Sequence, residues 1–170
     1  MLSENVQEAL NKQINVELYS SYLYLAMSAW FEAENLRGMA HWMRVQAQEE
    51  NVHAMKIYDH VYARGGRVVL QAIEAPPAEW ESPLGAFEAA YKHECGISAR
   101  INDLVNLAAE EGDHATQNFL QWFVAEQVEE EASADEVVKK LQLLQDAPRG
   151  LIMMLDAELG QRQPGAGEEQ

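Results

Sequence analysis

The sequence predicts an all-α protein: a bundle of four long helices, with one long crossover between the second and third and a short fifth helix near the C-terminus. Three observations point there. All five prolines (Pro76, Pro77, Pro83, Pro148 and Pro164) lie outside residues 1–75 and 84–147. Those two stretches are rich in Ala, Leu, Glu, Gln and Met, which favour helix, and uninterrupted helix formers mean long helices. The best strand signal, Arg67-Val68-Val69-Leu70, is too short to found a sheet.

Taken in order, the first helix (α1) is predicted over residues 4–33, with Ser3 as its N-cap. Asn35 marks a break, and α2 follows over 37–64 until Gly65-Gly66 ends it. Ser82-Pro83 reads as an N-cap followed by proline at the first helical position, opening α3 over 83–111. Gly112 stops that helix, and Asp113 caps α4 over 114–145. After the Ala147-Pro148 break, a short α5 spans 149–159 and stops at Gly160. Residues 1–160 read as one domain, and the polar segment 161–170 as a mobile tail.

The α1–α2 and α3–α4 connections are short, so each pair forms an antiparallel hairpin. The link over 66–82 is different. A helix of 28 residues is about 42 Å long, and seventeen linking residues reach roughly 56 Å when extended. The link can therefore run the length of the bundle and set α2 parallel to α3, the one-crossover topology of four-helix bundles.

Composition narrows the function. With 12 Lys+Arg against 28 Asp+Glu the formal net charge is −16, while 48% hydrophobic residues is too many for a disordered acidic chain. The charge argues against nucleic acid and anionic membranes as partners and favours cations, although solubility alone also accounts for it. No apolar run approaches the roughly 20 residues of a membrane span, and Met1–Gln13 lacks a basic start and an apolar signal region, so a cytoplasmic protein is expected. Cys95 is the only cysteine, which excludes an intrachain disulfide and a multi-cysteine metal site within one chain and suits a reducing compartment.

Following each helix at steps of three and four gives its inward stripe. For α1 the stripe is Leu10, Ile14, Glu17, Ser21 and Tyr24/Leu25, and for α2 it is Met39, Met43, Gln46, Glu50, His53, Ile57 and Val61. For α3 it is Phe87, Ala90/Tyr91, Glu94, Ile97, Ile101, Leu104 and Ala108, and for α4 it is Leu120, Phe123, Gln127, Glu130, Ala134, Val137 and Leu141. Each apolar stripe is broken by a glutamate within about one turn of the helix midpoint, so Glu17, Glu50, Glu94 and Glu130 fall near one cross-section of the bundle. One glutamate on such a stripe is ordinarily a snorkelling edge residue. Four at one level must either hold protons or hold cations, because ionised carboxylates packed in low dielectric repel and lose solvation. Oxygen ligands with one imidazole suit iron or manganese, and also zinc. Glu50 and His53 form a Glu-x-x-His element, two ligands on one helical face, as in carboxylate-bridged di-iron bundles.

On these residues, Glu17, Tyr24, Glu49-Glu50-x-x-His53, Glu94 and Glu126-Gln127-x-Glu129-Glu130, the sequence resembles the non-haem bacterial ferritins over residues 1–160. The resemblance implies a ferritin-like four-helix bundle in which Glu17, Glu50 and His53 hold one ferroxidase iron. Glu50, Glu94 and Glu130 would hold the second, with Gln127 alongside. It implies a third iron site at Glu49, Glu126, Glu129 and Glu130, where the bland alternative is a solvated acidic face. It also implies a homo-oligomeric cage of 24 chains with α5 packing about a four-fold axis. The haem-containing relatives fit less well. Gln127-Val128-Glu129-Glu130 lacks the histidine of a second Glu-x-x-His, and Val52 stands where their haem-ligating methionine would be, so no haem is expected.

The expected function is therefore oxidation of Fe(II) by O₂ or peroxide and storage of Fe(III) mineral. A di-iron oxidase or peroxidase without storage is the alternative, and a non-catalytic acidic cage is a third reading. Tyr24, seven residues from Glu17 on the same face, is expected either to bond a ligand or supply an electron, or simply to pack with its hydroxyl satisfied. Trp122 is expected to pack, Cys95 to point away from Glu94, and His41, His60, His93 and His114 to lie at the surface or an interface. Asp113, His114 and Gln117 are pore candidates.

Overall fold

The computed structural model describes residues 2–146 and 148–165. Its five helices are α1 Glu4–Ala33, α2 Arg37–Ala63, α3 Pro83–Glu110, α4 His114–Leu143 and α5 Arg149–Leu159. The start signals act as the sequence predicts. Ser3, Ser82 and Asp113 each accept the backbone N–H three residues on, from Val6, Gly85 and Thr116.

The first three long helices end in one device. In each, the N–H groups of the two residues past the cap turn back onto carbonyls of the last turn: Asn35 and Leu36 onto Glu32 and Phe31, Gly65 and Gly66 onto Tyr62 and Val61, Gly112 and Asp113 onto Ala109 and Ala108. The motif needs a left-handed residue, which is Asn35 at φ 58°, Gly65 at 72° and Gly112 at 67°.

Two apolar clusters show the topology. One combines the C-terminal half of α1 with the N-terminal halves of α2 and α3, the C-terminal half of α4, and Leu155 and Leu159 of α5. The other combines the opposite halves of the four long helices, from Val6, Leu10 and Ile14 to Leu120 and Phe123. Hence α2 runs parallel to α3, and α1 parallel to α4. Glu17, Glu50, Glu94 and Glu130 lie between the two clusters in sequence on every helix.

The crossover is tied along α1. Asn11 donates to the Arg67 carbonyl at 3.0 Å and accepts from the Val69 N–H at 2.9 Å, while Trp80 packs edge-on against Trp30 at the other end, 5.9 Å between centroids.

Helix α5 docks through a contact that its apolar pattern does not announce. Asp156 Oδ1 accepts the Met39 N–H at 2.8 Å and so caps the start of α2, where Leu36 offers no side-chain cap. The approach is possible because residue 38 is glycine: a Cβ there would sit 1.6 Å from the Asp156 carbonyl oxygen. Gly38→Ala is therefore expected to push α5 off α2 and to lower the stability of the fold by about 1–3 kcal/mol, measured as a fall in denaturation midpoint with the bundle's helicity retained.

Candidate metal centre

Glu17 and Glu50 project from the facing middles of α1 and α2, and His53 lies one turn beyond Glu50. One ligand atom from each lies within 4.8 Å of the others, and all three side chains are buried. His53 Nδ1 is 3.5 Å from Glu50 Oε2. Glu17 accepts one hydrogen bond, from Gln13 Nε2 at 2.8 Å to its Oε1. The buried Glu17 Oε2 and Glu50 Oε2 receive no hydrogen bond from any donor among the described residues. Buried carboxylate oxygens without a hydrogen-bond donor are atoms that a cation can serve.

Glu94 of α3 and Glu130 of α4 are buried beside this three-residue cluster, whose ligand atoms alone converge among the described residues. Glu94 takes the Tyr24 hydroxyl on Oε1 and Gln127 Nε2 on Oε2, the latter at 3.1 Å. Glu130 Oε2 accepts from Gln46 Nε2 at 2.6 Å, and the same amide reaches Glu50 Oε1 at 3.4 Å. Gln46 thus links the two sides of the bundle across its centre.

Burial dominates the acid–base behaviour. It raises Glu17 to about 8, with the Glu50 carboxylate adding to it. It raises Glu130 to about 8, helped by Glu50 and Glu49, and Glu94 to about 7, helped by Glu130. Glu50 is pushed up as well, by burial and then by Glu94. The Tyr24 phenol is held well above its ordinary value by burial and by Glu94, so it is a proton donor to that carboxylate at neutral pH.

A second acidic cavity adjoins this cluster, about 190 Å³, lined by Glu49, Glu126, Glu129, Glu130 and Ser133 and by Arg162, Gln163 and Gly165 of the C-terminal segment. Glu49 is buried, Glu126 is half-buried and Glu129 is exposed. Glu130 belongs to both places.

Residues 7–144 match the ferritin-like domain family named Ferritin. The chain belongs to the ferritin family. It is 46% identical over 162 residues to a bacterial non-heme ferritin of Bacteroides fragilis strain 638R, covering 95% of this chain and 100% of that one. Against a bacterial non-heme ferritin of Escherichia coli O6:H1 it is 40% identical, covering 94% and 96%. Among solved structures, an open pore ferritin of Archaeoglobus fulgidus superposes with a TM-score of 0.93 at 56% identity, covering 96% of this chain and 100% of that one. A form of the same archaeal ferritin engineered to be closed gives 0.94 at 55% identity, with coverage of 97% and 100%.

Within this ferritin-family chain some expectations need correction. Leu25 does not face inward. It is 46% exposed, because Tyr24 takes the inward position and one residue is a 100° step around the helix. His93 is not a surface residue: it is largely enclosed between α1 and α3, with Nε2 2.7 Å from Ser20 Oγ and its ring 5.9 Å from that of Tyr24. Burial, then Arg100, lowers it to about 4, so it backs Tyr24 as a neutral ring at pH 7. Asp113 is a weak pore candidate, since it caps α4 and pairs with Arg64 at 2.7 Å. Trp122 packs as expected, but against the cluster itself, edge-on to His53 at 5.3 Å, with Lys56 Nζ over its ring 4.3 Å from the centroid.

Sequence reasoning named Gln127 but missed Gln13 and Gln46 as working parts. Gln13 and Gln46 each sit one turn before a stripe glutamate, Glu17 and Glu50, and each donates to that glutamate. The four-residue spacing was a readable signal. The expected tail segment, 161–170, lies partly within the described residues: 161–165 rest against α2, and 166–170 lie outside them.

Proposed function

We propose that the protein oxidises Fe(II) at a paired site formed by Glu17, Glu50, His53, Glu94 and Glu130, and stores the Fe(III) product as mineral inside a homo-oligomeric cage. The observation that carries this reading is the buried Glu17–Glu50–His53 cluster, two of whose carboxylate oxygens have no donor among the described residues, with Glu94 and Glu130 also buried and acting on Glu50 or acted on by it. Glu17, Glu50 and His53 hold one substrate iron. Glu50, placed between the two sides, offers its second oxygen to the other, with Glu94 and Glu130.

Each part of the chain has a defined task. The hard anionic carboxylates favour Fe(III) over Fe(II) and so favour oxidation. Two Fe(II) ions bound side by side supply two electrons to one oxidant, O₂ or peroxide. Tyr24 and Gln127 hold Glu94 in register, while Gln13 and Gln46 hold Glu17 and Glu130. Because Glu17, Glu94 and Glu130 have raised proton affinity when empty, cation binding expels their protons. Glu49, Glu126 and Glu129 with Glu130 form a third metal position, a reading supported by the acidic lining of their cavity and by the Arg162 guanidinium that Glu49 already accepts.

Assembly is supported by α5, whose Leu151, Met153 and Met154 are exposed in the single chain at 42%, 54% and 68%. A cage of 24 chains is the assembly we infer, working in the cytoplasm. Among the described residues no helix is long and apolar enough to cross a membrane.

The test is to add Fe(II) aerobically far beyond the capacity of the paired site. Storage predicts oxidation that continues, with ferric cores remaining in solution inside particles sized by light scattering as a large oligomer. Oxidation that stops after the first ions, with precipitate, would instead mark a di-iron oxidase without storage. A monomer or plain dimer would remove the cage.

A further inference from the structure

Arg162, two residues beyond Gly160, is the most heavily engaged residue of the C-terminal segment. Its Nη2 donates to Glu49 Oε2 at 2.6 Å, and its Nη1 donates to Gln46 Oε1 at 2.7 Å and to the Trp42 carbonyl at 3.4 Å. The guanidinium lies over the Trp42 ring, 4.2 Å from its centroid. The Arg162 carbonyl meets His41 Nε2 at 2.9 Å. Three residues on, the Gly165 N–H donates to the remaining oxygen of Glu49 at 3.0 Å. The tail therefore occupies both oxygens of Glu49, one by a full positive charge and one by a backbone dipole.

That carboxylate is also a wall of the cavity shared with Glu126, Glu129 and Glu130. A guanidinium beside Glu49 neutralises the wall that would otherwise attract a metal ion. A divalent ion on the same oxygen would face it at a few ångströms in a half-buried site, where two like charges repel strongly. Gln46 carries the effect inward. Arg162 holds its oxygen, which leaves its Nε2 pointed at Glu130 and Glu50.

We propose that Arg162 is a built-in competitor for the third cation: seating of residues 162–165 on Glu49 and metal binding in the Glu49–Glu126–Glu129–Glu130 cavity exclude each other. The proposal rests on the third metal position put forward above. By linkage the coupling is reciprocal, so the tail weakens the third ion by the factor by which the third ion unseats the tail. Arg162 acts here as a positioning residue with no part in the oxidation step.

The experiment uses the metal-free oligomer and Co(II), which binds without oxidation by air on the timescale of a titration. Calorimetry counts the ions and their affinities, and hydrogen–deuterium exchange follows the peptide containing residues 161–170. The wild type is expected to bind three ions per chain, and exchange in that peptide should rise only as the third is taken up. Arg162→Gln is expected to bind the third ion about tenfold more tightly, with the first two altered far less, and Arg162→Lys should fall between. In Glu126→Gln/Glu129→Gln the metal-dependent rise in exchange should vanish. If the third ion binds wild type and Arg162→Gln equally, or leaves the exchange of the wild-type peptide unaltered, the competition is overturned while the third position stands. If wild type and variant both hold only two ions, the third position fails and the competition with it.

Discussion

Glu50→Ala is expected to abolish the rapid phase of Fe(II) oxidation and, at the same time, to make the metal-free protein more stable. The first effect follows from position. Glu50 lies against Glu17 and His53 on one side and is joined through Gln46 to Glu130 on the other. In the proposed paired site Glu50 serves both irons, so the loss should exceed about a hundredfold in initial rate, the scale on which a positioned catalytic group contributes. The second effect follows from burial. Glu50 raises the proton affinity of both Glu17 and Glu130 by its charge, and its own charged form is disfavoured by burial. Removing it relieves that repulsion, although the alanine leaves a small cavity, so Glu50→Gln should show the stabilisation most cleanly. Stopped-flow absorbance of the ferric product and thermal melts of the metal-free proteins check the two halves. An initial rate close to the wild type would sink the paired-site mechanism, and a less stable metal-free Glu50→Gln would sink the account of the belt as repulsive.

The second large effect concerns pH. Glu17, Glu94 and Glu130 have folded-state values of about 8, 7 and 8, above the 4.5 of an unhindered glutamate. A raised folded value means the folded chain holds protons that the unfolded chain has released. The stabilisation is then complete below about pH 4.5 for these groups and is lost as pH climbs through 7 to 8. Metal-free protein should therefore melt at progressively lower temperature between pH 5 and 8.5, against the ordinary rise caused by paired carboxylates. Saturating Co(II) should flatten or reverse that slope, because the ion replaces the protons and binding becomes stronger as they leave. Melting curves across the range, with and without the metal, decide it. A metal-free melting temperature that does not fall across that range would mean that the four glutamates do not share a dry belt.

Much of the fold was legible because helix ends carry local chemistry. Ser3, Ser82 and Asp113 announce the starts, and Asn35, Gly65 and Gly112 the stops, through bonds made within a few residues. The glutamate belt was legible for a related reason: 3.6-residue periodicity reports which face is buried, so a charge on that face stands out. His93 was misplaced because a histidine beside the stripe looks the same whether it meets solvent or a neighbouring helix. The Gln13–Glu17 and Gln46–Glu50 spacings were visible, but a glutamine alone does not say where its amide points.

The five helices, their order and the depth of Glu17, Glu50, His53, Glu94 and Glu130 follow from local hydrogen bonds and helical periodicity. Which side chains meet follows from packing between helices. Asp156 on the start of α2 beside Gly38, Gln46 between Glu50 and Glu130, and Arg162 on Glu49 join residues far apart in the chain. Such contacts depend on how helices rotate and approach one another, which packing settles and no local pattern encodes.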